Sequence, residues 1–310
     1  MVAGYSTLLK AHPPIMTLGY RDQRVWGTKI AIALFAGGTG AGAYFMSKIL
    51  YATGTISLST AAISGWIELV LAATGILFLT AHLGRPLRAW RAVGRPHAAW
   101  ISRGAIVPPA FILFVFLSLL PSIEALDGLP WREESGAWQA IVIVAMILGM
   151  GYILYTGMVI STWSSIPFWN TPLIPLLFTT ASLLAGTGIT QIVLAVRDLR
   201  SPVMDLIVVG FIIGNGLLLA MLIVDAYTRE VTVLQSMRRF LGLHGGAAFW
   251  VGIVLVGLVL PGVLVLVDYW GNIAGVGGRI VLVVVGVSIL IGGLMQRYCV
   301  LKSGRYRLPI

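Results

Sequence analysis

Apolar runs of about 18 or more residues recur along the chain, separated by short stretches that carry most of its charge. A helix rises about 1.5 Å per residue, so each run can cross a hydrocarbon core of about 30 Å. Eight spans are predicted, at 29–50, 61–82, 104–121, 138–160, 172–196, 203–224, 247–268 and 278–297. The alternating segments of about 10 residues that a membrane β-barrel requires are absent from this pattern. The expected fold class is an all-α polytopic membrane protein whose eight transmembrane helices form two four-helix bundles. Its expected divisions are an N-terminal segment 1–28, a first bundle 29–160, a connecting loop 161–171, a second bundle 172–297 and a basic tail 298–310. No apolar core precedes Ile30, so the first span is not read as a cleaved signal peptide.

Composition agrees with this pattern. The chain is 58% hydrophobic and only 10% charged, whereas soluble domains carry about 25% charged residues. The distribution of charge adds orientation. An even number of spans puts both termini on one side, together with the loops after spans two, four and six. With these boundaries that side holds 16 of the 21 Lys and Arg residues. Lys48, Arg132, Arg197, Arg200 and Arg279 fall on the other. Loops rich in Lys and Arg stay cytoplasmic, so both termini are expected inside the cell.

Cys299 is the one cysteine, and the histidines are His12, His82, His97 and His244, none deep in an apolar run. One thiolate cannot hold an iron–sulfur cluster, and no histidine pair is placed for a haem. The chain is therefore expected to carry no metal, haem or cluster. Signatures of soluble enzymes, including a Walker loop, a zinc-ligand helix and a serine triad, are absent.

Three stretches carry the candidate chemistry. The first span contains FAGGTGAGAYF, where Gly37 and Gly38 allow close helix packing or open a backbone groove for a flat ligand. The loop HLGRPLRAWRAVGRPHAAWISRG holds Arg85, Arg88, Arg91 and Arg103 without an acid. Such a loop anchors topology against anionic lipid head groups. Its ordered glycines and prolines exceed that need. The fourth span places Tyr155 about twelve residues before Pro167, inside the bilayer, where its hydroxyl needs a partner. Lys29 enters the membrane at the same face and can also snorkel to head groups. His82 closes span two, as a titratable group or as a helix cap.

These three stretches resemble the NrfD-like, polysulfide-reductase-type family of membrane subunits, which is related to the dimethyl-sulfoxide reductase membrane anchor. The resemblance implies a quinone, menaquinone or ubiquinone, held in the first bundle near a docking face. It implies two partners: a four-cluster, ferredoxin-like iron–sulfur subunit and a molybdenum or tungsten catalytic subunit. Matched on Gly37-Gly38, the family's first-helix histidine falls at Lys29; matched on Pro167 and Trp169, its fourth-helix tyrosine falls at Tyr155. Tyr155, Lys29 and His82 are then the expected quinone-binding and proton-exchange groups, with Gly37 and Gly38 packing the pocket. Arg85, Arg88, Arg91 and Arg103 would dock the partner or stabilise the head group. Membrane lipid is the remaining contact, and no nucleic-acid partner is expected.

Polar residues inside the spans are functional candidates because burying them is costly. Glu68, Gln191 and Asn215 are candidates for a proton path, each alternatively a helix-to-helix hydrogen bond. Thr180, Thr187 and Gln191 share one face of span five, and Asp225 with Arg229 is spaced for a salt bridge. Two other readings stand beside the quinone-reactive subunit. One is a secondary transporter with Glu68 and Asn215 at a central site. The other is a passive anchor.

Overall fold

The computed structural model describes residues 21–83, 100–126 and 128–307. Arg85, Arg88 and Arg91 lie outside them. The described residues hold eight helices long and apolar enough to cross a membrane. They are α1 (Thr28–Ala52), α2 (Leu58–His82), the pair α3 (Trp100–Gly104) and α4 (Val107–Leu119), α5 (Gly136–Ser161), α6 (Leu173–Val196) and α7 (Pro202–Thr228). An amphipathic α8 (Val231–Gly242) follows. Then come a π-helical segment (Ala247–Val259) continuing into α9 (Leu260–Gly271), and α10 (Gly275–Ser303).

Local chemistry sets the boundaries. Ser57, Ser135 and Ser201 cap α2, α5 and α7 by accepting from the backbone N–H of Thr60, Trp138 and Met204. Pro108 and Pro109 lack a backbone N–H, and span three breaks between α3 and α4 just before them. Pro261 opens α9 where the wide π turn reverts to α geometry.

Packing centres on α1 and α6. α1 contacts α2, α5, α6 and α10, while α6 contacts α1, α5, α7 and α10. The glycines of α1 serve opposite sides. A Cβ on Gly40 would lie 2.7 Å from the backbone of Glu68 and Ala72 in α2, and one on Gly42 would overlap Ser182 of α6. With no hydrophobic effect between helices in lipid, such backbone approach is what holds them together.

Three placements differ from the sequence reading. Span eight does not end at Arg297: α10 runs to Ser303 because Tyr298-Cys299-Val300-Leu301 continue the apolar run, and Arg297 is fully buried inside it. Lys48, counted among the charges of the far side, is instead 5% exposed within α1. Removing one residue from each side leaves the charge asymmetry standing. The third is α8, an amphipathic helix too short and too polar to be a span. It buries Val233, Met237 and Phe240 along one side and exposes Arg238 on the other.

At the end carrying the described termini, the chain ties itself together. Asp22 pairs with Arg239 of α8 and with Arg305 of the tail, the latter at 2.9 Å. Gln23 donates to the Leu301 carbonyl at 2.6 Å, and the Trp169 indole donates to Val300 at 2.9 Å. Partial burial raises the Asp22 carboxyl, but hydrogen bonds and charges from Arg239 and Arg305 outweigh it and hold it below its ordinary value of 3.8. The clasp is therefore charged at neutral pH. Its contribution is lost only as pH falls through that lowered value.

Candidate functional site

Tyr152 and Tyr155 stand one turn apart on α5, so both rings leave the same side of the helix. Both are 4% exposed, with ring centroids 6.5 Å apart. The Tyr152 hydroxyl rests on Gly37 of α1 and Gly75 of α2, where a Cβ on either glycine would overlap it. The Tyr155 hydroxyl rests on Gly104 of α3 in the same manner. Phe111 of α4 meets the Tyr152 ring edge-on at 6.0 Å, and Tyr44 of α1 meets Phe111 at 5.7 Å. Neither tyrosine hydroxyl has a hydrogen-bond partner among the described residues. The arrangement sets two phenol donors side by side among aromatic rings and glycine backbone, between α1, α2, α3 and α4.

The other expected residues distribute around this centre. α1 and α2 run antiparallel with Gly37 beside Gly75, which puts Lys29 and His82 at one level, about two turns nearer the basic end. Lys29 is exposed and His82 half-buried. The Arg103 guanidinium stacks 4.1 Å from the Trp100 ring. Gly38 does not join its neighbour in the site. It faces α6, and a Cβ there would meet the Ser182 hydroxyl and approach Arg297.

Glu68, Gly75 and His82 recur every seven residues and so share one side of α2. Glu68 has no exposed surface. One of its oxygens accepts from Ser64 at 2.6 Å, and the other has no partner. Lys48 is the cation whose charge reaches it, without a direct ion pair among the described residues. Lys48 itself sits 5.0 Å from the Tyr44 ring, and the Tyr44 hydroxyl shares a 3.2 Å hydrogen bond with Ser118. Near the far end the Tyr51 hydroxyl donates to Glu134 at 2.7 Å. Polar groups thus line the first spans from His82 to Glu134. The larger hollows, about 450 Å³ beside Trp66 and Glu133, open at that far end, away from the tyrosines.

The later spans hold a separate set. Asn215 and Gln296 exchange reciprocal amide hydrogen bonds at 3.1 and 3.2 Å, and Thr180 donates to Asn215 at 3.3 Å. A cavity of about 10 Å³ beside them has room for about one water. Gln191 donates to Asp205 at 2.9 Å, and Asp268 pairs with Arg200 at 3.2 Å. The Asp225–Arg229 bridge forms as its spacing predicts, at 3.3 Å. Glu68 and Asn215 are not brought together: α2 packs on α1, α4 and α6, and α7 on α6, α8 and α9. The central transporter site that would join them is therefore not formed. Among the described residues, no group of three His, Cys, Asp or Glu side chains is placed to hold a metal.

Sequence reading missed Tyr152, Gln296 and Arg297. The i to i+3 spacing of Tyr152 and Tyr155 was the signal for the first.

Eight apolar helices with polar chemistry enclosed between them define a multi-pass membrane protein, one whose reactive groups lie among the helices. The chain belongs to the NrfD polysulphide reductase family, whose model matches residues 17–309. This is a family of membrane subunits of polysulfide-reductase-type oxidoreductases. The chain is 27% identical to Protein NrfD of Escherichia coli strain K12 over 92% of its own length and 96% of the relative's. It is 26% identical to the C subunit of the polysulfide reductase of Wolinella succinogenes, over 91% and 94%. A Protein NrfD homolog of Haemophilus influenzae is 22% identical over 94% and 99%.

Proposed function

We propose that this chain is the quinone-reactive anchor of a membrane oxidoreductase complex, exchanging electrons between a quinone pool and a docked iron–sulfur subunit. In this reading a molybdenum or tungsten subunit carries the substrate chemistry beyond that. The observation that carries the proposal is the pair of buried tyrosines whose hydroxyls, without a hydrogen-bond partner among the described residues, lie on glycine backbone near the basic end. Residues 29–160 form the quinone-binding unit and 172–297 the supporting one. The membrane is a prokaryotic cell membrane with both termini cytoplasmic, as the Lys and Arg asymmetry supports.

A bound quinone would supply two-electron, two-proton carrier chemistry. The chain's own residues do the rest. Tyr152 and Tyr155 donate hydrogen bonds to head-group oxygens. Gly37, Gly75 and Gly104 make room for those two hydroxyls. Phe111 and Tyr44 keep water from that side. Lys29 and His82, at the mouth, exchange protons with the basic face. Glu68 holds a proton on the way to the opposite face, with Lys48 setting its charge environment. Arg103, with Arg85, Arg88 and Arg91, offers the acidic partner a cationic surface.

Tyr155→Phe and Tyr152→Phe test this reading. Each is expected to lower quinone-coupled turnover about tenfold while dye-coupled turnover of the complex is kept, since each removes one hydrogen bond of about 1.5 kcal/mol. Equal quinone-coupled and dye-coupled rates in both variants would leave a passive anchor as the better account.

A further inference from the structure

Arg297 is the least expected group in the fold. It has no exposed surface and lies about two turns inside α10. Its three hydrogen bonds go to neutral acceptors: the Gly293 carbonyl at 3.0 Å, the Phe178 carbonyl at 3.4 Å and the Ser182 hydroxyl at 2.7 Å. The Phe35 and Phe178 rings flank the guanidinium at 5.6 and 5.5 Å. Its Nε has no partner, and among the described residues no acid pairs with it. Carbonyls and ring faces solvate the cation but do not neutralise it. A fixed positive charge therefore remains in the low-dielectric centre, at the junction of α1, α6 and α10.

The consecutive glycines Gly37 and Gly38 set where that charge acts. Gly38 makes room for Arg297 and Ser182 on one side of α1, while Gly37 receives the Tyr152 hydroxyl on another. The guanidinium is consequently within about 12 Å of that hydroxyl, across a single helix backbone. Other charges near the tyrosines are Arg103, next to the Gly104 that receives the Tyr155 hydroxyl, Lys29 at the mouth, and Glu68 and Lys48, about two and three turns further toward the far end and of opposite sign to each other.

We propose that Arg297 is a positioning charge for the tyrosine site, favouring negative charge on a head group bound there over a neutral one. This rests on the quinone reading and adds to it an electrostatic bias supplied from the second half of the chain. At that separation, with an effective dielectric of about 20, one unit charge changes the preference about tenfold. The bias would draw electrons onto the bound head group without Arg297 touching it.

The test is equilibrium binding to the purified complex, with no turnover involved. Two probes are compared: a hydroxynaphthoquinone, ionised at neutral pH, and its uncharged methyl ether. Arg297→Met removes the charge. Ser182→Asp neutralises it in place by setting a carboxylate where the hydroxyl now meets Nη2, so the two variants share the prediction but not the perturbation. Arg297→Lys keeps the charge. The expected result is that Arg297→Met and Ser182→Asp each weaken the anionic probe about tenfold relative to the ether, and that Arg297→Lys does not. A parallel loss of both probes, or no change in their ratio in whichever neutralised variant folds, overturns the proposal. If neither probe binds the wild-type complex, or binding ignores Tyr155→Phe and Tyr152→Phe, the quinone reading itself falls and the inference falls with it.

Discussion

Gly37→Ala is expected to give a folded complex whose quinone-coupled turnover is down about a hundredfold, with dye-coupled turnover intact. The added methyl would occupy the place of the Tyr152 hydroxyl. The methyl would overlap ring carbons as well as the hydroxyl, so the whole Tyr152 ring must shift against Phe111 and Tyr155 while the helices keep their spacing. A ring displaced by about 1 Å loses its hydrogen bond and also crowds the head group out of position, which costs on the order of a hundredfold in rate, beyond the loss in Tyr152→Phe. Gly40→Ala is the informative control. There the methyl meets Glu68 and Ala72 backbone at 2.7 Å, which cannot swing aside, so the loss should appear as a lower unfolding temperature instead. Thermal midpoints of both variants, read beside the two turnovers, separate site damage from packing damage. Unchanged quinone coupling in Gly37→Ala would mean that the Tyr152 hydroxyl has no part in it.

The second large effect belongs to Glu68. Glu68→Gln preserves shape and can still accept from Ser64, but it cannot release a proton. If the carboxyl relays protons between the tyrosine site and the far face, quinone-coupled turnover should fall by a factor on the order of a hundred, the lower range for a general acid–base group. Glu68→Asp should recover part of it. If Glu68 merely ties α2 to its neighbours, glutamine should serve as well, and the stability and both turnovers should match the wild type.

The spans could be read from the sequence because hydropathy over a whole helix is a sum, insensitive to any one residue. The amphipathic α8 escaped for the converse reason: only one side of it is apolar, so its average is unremarkable. Tyr155 was legible from depth alone, and Asp225–Arg229 from spacing. Arg297 was misplaced because a cation in an apolar run is ordinarily assigned to the head-group layer. Here Ser182, two backbone carbonyls and two phenyl rings hold it inside, and those partners are 115 or more residues away for the α6 contacts. The same holds for Gly38. Adjacent glycines look equivalent in a sequence, yet the turn of the helix sends Gly37 to the tyrosines and Gly38 to the arginine.

The most direct measurement is photolabelling of the purified complex with an azido-quinone, followed by mapping of the labelled peptides. This account predicts label on α5 around Tyr152–Tyr155 and on α1 around Gly37, displaced by excess unlabelled quinone. Displaceable label confined to other subunits, or to α6–α10 alone, would contradict it.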